Sequence, residues 1–111
     1  MIYRYSREDA IRDGVLVDIT ELAKESGFKL PTAITNTVYE KHLNSEDEDV
    51  TTARIHDTLW MLYVAIKQEK NPSDRILFEL YYGKELVKLK AIIGPGDTPA
   101  PVLTIMLPEE D

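Results

Sequence analysis

Residues Val50 to Lys70 read VTTARIHDTLWMLYVAIKQEK, and the rest of the chain has to be arranged around them. Leu59 to Ile66 is an unbroken run of eight apolar residues, enough to make a helix apolar on every side. A helix of that kind is a buried one. Ile55, Leu59, Leu62, Tyr63 and Ile66 recur at the helical period, and Asn71-Pro72 supplies a stop. The stretch predicts a long buried helix with Thr51 as its N-cap.

Beyond Asp74 the period changes from helical to alternating. Ile76, Phe78, Leu80 and Tyr82 share one face of a strand, and Gly83-Lys84 marks a hairpin turn. Val87, Leu89, Ala91 and Ile93 line the next strand, with Lys88 and Lys90 facing outward. The stretch from Gly94 to Pro101 is a stiff loop, and Val102 to Leu107 makes a third strand ended by Pro108. The expectation is an α+β fold in which a three-stranded antiparallel meander is covered by the long helix.

Upstream, Tyr3 and Tyr5 alternate with Ile2 and Arg4, as a short edge strand or a lead into a helix. Ser6 is placed to cap a helix over Arg7 to Asp13, with Asp9 completing a capping box and Gly14 ending the helix. Val15, Val17 and Ile19 give one additional short strand. Thr20 is a further N-cap, for Glu21 to Ser26, closed by Gly27. Pro31 can open a helix at its first position, and Ala33, Ile34, Thr37, Val38 and Leu43 make a helical stripe running through His42. Four consecutive acids, Glu46 to Asp49, then sit before the positive end of the long helix.

The chain has 111 residues, of which 43% are hydrophobic, consistent with one domain that buries a substantial core. It contains no cysteine, which excludes disulfide scaffolds, thiolate zinc sites and cysteine nucleophiles and makes a cytoplasmic location the default. No signal-peptide pattern opens the sequence, and no apolar run is long enough for a membrane span. Twenty acidic residues against thirteen basic ones leave a net charge of -7, which disfavours direct nucleic-acid binding. Moderate acidity ordinarily serves to keep a small domain soluble, and beyond that it suits approach to a basic partner.

Tyr5-Ser6-Arg7, Ala10-Ile11, Asp13-Gly14-Val15-Leu16-Val17-Asp18 and Gly27-Phe28 with Pro31 form one block of recognisable residues. Gly94-Pro95-Gly96-Asp97, Pro101-Val102 and Thr104 to Asp111 form another. Together they resemble a family of small uncharacterised proteins encoded by phages, plasmids and bacterial genomes. The resemblance implies a mobile-element setting and a stand-alone domain, and it carries over no catalytic residue.

Histidine is the first place to look for acid–base or metal chemistry, and there are two. His42 and His56 lie on different predicted helices, where Asp57 or Asp49 could join them in a mixed site. Their spacing matches no metal motif, and helix-surface histidines are the ordinary alternative. The acidic run fails as an EF-hand: counting from Asn44, the sixth and twelfth positions are Asp49 and Ile55, not Gly and a carboxylate. Gly94-Pro95-Gly96-Asp97 could expose amides to a phosphate. Yet Pro95 removes a donor, and strands rather than a helix flank the loop.

The leading expectation is a non-enzymatic interaction protein, an accessory or inhibitory factor for a host protein, requiring no cofactor. Its expected docking surfaces are Glu46, Asp47, Glu48 and Asp49 and the acidic end, Glu109, Glu110 and Asp111. The alternative is a small-ligand or metal-binding domain, or a small hydrolase, using His42, His56 and Asp57. A homodimer is compatible with both, because a meander has two edges to protect.

Overall fold

The computed structural model describes residues 5–70 and 73–110. Residues 1–4 of the N-terminal lead-in, the Asn71-Pro72 stop and Asp111 lie outside them. The order of elements is α1 (Arg7–Arg12), β1 (Leu16–Asp18), α2 (Thr20–Glu25), β2 (Thr32–Thr35), α3 (Asn36–Val38), α4 (Glu48–Gln68), β3 (Arg75–Tyr82), β4 (Glu85–Pro95) and β5 (Pro101–Met106). A π-helical turn over Tyr39–Leu43 continues α3.

The protein is α+β, as expected. The antiparallel meander β3-β4-β5 is present, but it is one part of a five-stranded mixed sheet in the order β1-β2-β5-β4-β3. β2, the strand that joins the meander to β1, runs parallel to β5. The helix expected from Pro31 to His42 is therefore corrected over its first half. Thr32, Ala33 and Ile34 are all buried, and a strand buried on both faces shows no alternation to distinguish it from a helix. Helix begins only at Asn36, where the Thr35 hydroxyl accepts the Val38 N–H.

Ser6 and Asp9 make the full capping box on α1, and Gly14 follows the helix at φ 78°. Thr20, by contrast, is not a cap but the first residue of α2. Its own N–H is accepted by Asp18 Oδ1 at 3.0 Å. α4 likewise begins before the expected cap. Asp47 accepts the Asp49 N–H there, while Thr51 is buried in the first turn with its hydroxyl accepting the Ser45 N–H.

One face of the sheet and the inner side of α4 build the core. Ile34, Leu59, Leu62, Leu89, Leu103 and Ile105 are among its largest fully enclosed apolar side chains, with Ile76, Phe78 and Leu80 beside them. The expectation that α4 is buried all round is corrected by Trp60, which is 61% exposed. The sheet and α2 cover the helix on one side only.

The second face of the sheet is covered over part of its width. Near β2 and β5, Arg7 from α1 reaches Thr104 Oγ1 at 2.7 Å and the Leu103 carbonyl at 2.9 Å. Lys90 does point away from α4, as the alternation of β4 requires, yet it is 4% exposed rather than solvated. The C-terminal residues fold over it, and its ammonium donates to the Pro108 and Glu110 carbonyls. Over β3 and the turn end of β4 the same face is open, and Leu77, Tyr81 and Leu86 are 69%, 65% and 45% exposed.

Candidate functional site

β3 is the terminal strand of the sheet, and one hydrogen bond fixes which of its groups face outward. Ile93 donates its N–H to the Asp74 carbonyl at 2.7 Å. The β3–β4 register pairs Arg75 with Ile92 and Ile76 with Ala91, so Asp74 and Ile93 stand opposite each other in the same ladder. In an antiparallel ladder, directly bonded pairs alternate with pairs whose N–H and C=O point away. Ile76, Phe78 and Leu80 are thus bonded to β4, while Leu77, Glu79 and Tyr81 turn N–H and C=O toward the outer edge, and Arg75 turns its C=O there with its N–H donated to Ser73 Oγ at 3.2 Å. Beside that edge lies a groove of about 600 Å³, walled by Trp60, Met61 and Val64 of α4 and by Leu77, Tyr81 and Leu86 of the hairpin. An open row of backbone donors and acceptors flanked by exposed apolar side chains is the arrangement that adds a strand.

The acids singled out in the sequence fall into different environments. Glu46, Asp47, Glu48 and Asp49 are all exposed, the last two within the first turn of α4. Glu109 is exposed too, whereas Glu110 is engaged in the fold. Its carboxylate accepts the Thr35 hydroxyl at 2.8 Å and the Leu107 N–H at 2.9 Å.

The two histidines have separate partners. His42 stacks on Tyr82 with ring centroids 5.6 Å apart, and its Nδ1 is 3.4 Å from Glu85 Oε1. Burial pushes the His42 imidazole below its usual pKa, partly opposed by the Glu85 charge. Burial likewise raises the Tyr82 phenol to about 12, against the hydrogen bond it shares with Thr58. His56 instead sits against α2, with Nδ1 3.5 Å from Ser26 Oγ and Nε2 3.6 Å from Glu25 Oε2. Asp57 lines the groove at β3. Among the described residues, no group of three or more His, Asp or Glu is placed to hold a metal ion.

The Gly94 to Asp97 stretch joins the two ends of the chain. Asp97 accepts the Arg7 N–H at 2.7 Å and the Glu8 N–H at 3.0 Å, so its carboxylate occupies the first amides of α1. At Gly96 a Cβ would lie 2.8 Å from Val102 Cγ1, which explains a residue without one. The loop is thus a clamp for α1, using the anion preference of a helix start within the molecule.

What sequence reading missed is the groove. Leu77, Tyr81 and Leu86 were readable as the outer face of a hairpin, but an uncovered outer face follows only from knowing which strand ends the sheet. The fold is an α+β mixed sheet with β3 at one end and an apolar groove beside it. The chain is a member of DUF6573, a family of unknown function, whose model matches residues 1–111. No curated protein and no solved structure matches the chain.

Proposed function

We propose that the protein is a non-enzymatic interaction module that works by engaging a host protein, as an accessory or inhibitory factor of a mobile element. The observation that carries this reading is the exposed apolar strip of Trp60, Leu77, Tyr81 and Leu86 along the outer edge of β3, which no strand among the described residues pairs. Apolar side chains gathered in one place on a surface mark a contact site, whereas scattered ones do not. The exposed acids Glu46 to Asp49 favour a basic partner through long-range attraction, which sets encounter rate and selectivity more than affinity. The reading that makes His42, His56 and Asp57 a ligand site or hydrolase centre gains no support from their separate surroundings.

The test is affinity capture from a nuclease-treated bacterial lysate with three baits: wild type, a form with Glu46 to Asp49 neutralised, and Leu77→Lys. One host protein retained by the wild type and depleted by either variant is the expected result. Equal retention by all three baits, or no retained host protein, would overturn the reading.

A further inference from the structure

We infer that the open edge of β3 pairs with β3 of a second copy, antiparallel about a two-fold axis through Leu77, to join two five-stranded sheets into one. This goes beyond the proposed function: it rests on the same apolar strip but names a second copy of the chain, not the host protein, as what meets it. Such an edge has to be self-complementary. A two-fold interface places the same patch on both sides, and antiparallel pairing of a strand with its twin requires each residue to face one at a mirrored position. The outward-directed residues of β3 are Arg75, Leu77, Glu79 and Tyr81, all on the sheet face away from α4.

Of the registers that such a strand can take, one centred on Glu79 opposes two carboxylates. One centred on Phe78 sets Leu77 against Glu79 and Arg75 against Tyr81. Centring on Leu77 sets Arg75 against Glu79 of the other copy twice, with the two Leu77 side chains meeting between them. Opposite charges and paired apolar groups directly across an antiparallel ladder stabilise it, and like charges destabilise it. The same register brings the two Leu77 residues into a directly bonded pair and lets each Glu79 N–H reach the Arg75 carbonyl of the other copy, the Arg75 N–H being donated to Ser73 Oγ.

A second exposure is resolved by the same operation. A two-fold axis perpendicular to a continuous sheet keeps both α4 helices on one side of it, so the outer flank of each is brought toward the other. That flank carries Trp60, a large side chain that the monomer leaves in water. On the opposite face, Leu77, Tyr81 and Leu86 of both copies line up on either side of the axis as one continuous apolar strip.

The experiment is sedimentation velocity across a concentration series at low salt, with a charge-reversal set. Wild type is expected to be a dimer. Arg75→Glu and Glu79→Arg should each weaken it by on the order of tenfold or more, since each sets like charges opposite one another. An equimolar mixture of the two single variants should recover dimer, because positions 75 and 79 then carry opposite charges across both pairs. The double variant should recover it alone. Amide exchange on the wild type gives an independent readout, with the Leu77 and Glu79 amides becoming protected as dimer forms. A wild type that stays monomeric, a dimer indifferent to both reversals, or a dimer with those amides unprotected would overturn the inference. A monomer that still captures a host protein through Leu77 leaves the proposed function standing. A dimer that captures none removes the host partner and not the self-pairing.

Discussion

The sheet has two edges, and they are built in opposite ways. β1 is three residues long, and its bonds to β2 fix its exposed groups. Ile19 donates to the Thr32 carbonyl and Asn36 to the Val15 carbonyl, which leaves only Leu16 and Asp18 directed outward. α1 and α2 flank it in sequence, α1 packs against it, and the Asp18 carboxylate is occupied by the N–H and hydroxyl of Thr20. β3 is eight residues long, carries no proline or glycine, and turns four successive odd-numbered residues outward. Short edges and adjoining helices are devices that prevent unwanted pairing. β1 is short in this way and β3 is not, so the sheet is finished at one end only.

That contrast can be broken most strongly by substituting apolar residues near each edge. Ile34, next to the β1 edge, is fully enclosed, and Ile34→Ala should cost about 2–5 kcal/mol in denaturant unfolding. Leu77→Ala at the β3 edge, measured at concentrations where the chain is monomeric, should change stability by less than about 0.5 kcal/mol. Similar losses at both positions would mean that the β3 edge is already covered within one chain.

A smaller effect sharpens the account of the protected end. Asp97→Ala releases the Arg7 and Glu8 amides that its carboxylate accepts, and losing such a cap typically costs about 1 kcal/mol. Amide exchange of α1 should accelerate while that of β3 and β4 stays unchanged. Acceleration across the whole sheet would show that α1 does not behave as a local unit.

The smallest effect concerns His42, beside the turn end of the open hairpin. Burial lowers its pKa in the folded chain, so on acidification the unfolded chain takes up that proton first. The stabilisation from a neutral His42 is complete above the ordinary histidine value of about 6.5 and is lost as pH falls through the lower folded value. His42→Gln should flatten the pH dependence of unfolding in that range. An unaltered profile would place the acid sensitivity elsewhere.

How far the sequence could be read follows the same division. α1, the β3–β4 hairpin and β5 were legible because each has a local signature: a capping box with a following glycine, or strict alternation around a turn. α4 was legible as a helix from its period, but its exposed flank was not, because eight consecutive apolar residues do not reveal which of them meet a sheet. β2 was misread because a strand buried on both faces lacks alternation, and one of its two partners, β5, lies far along the chain. Lys90 has the sequence appearance of a solvated lysine, and only the folding back of Pro108 to Glu110 encloses it. The groove at β3 depends on strand order, which no local pattern states. The acids Glu46 to Asp49 were located correctly near the start of α4, whereas nothing in the spelling of Glu110 distinguishes it from its exposed neighbour Glu109.

The parallel pairing of β2 with β5 also sets a timetable for synthesis. Ile34 lies beside Ile105 in the finished sheet, so the strand made early has no seat in the meander until β5, some seventy residues later, has been made. Asp97 holds the start of α1 under the same constraint. Closing such distant contacts costs loop entropy before it returns any stability. The early third of the chain can pair β1 with β2, but the other edge of β2, with Ala33 and Ile34, stays open until β5 arrives.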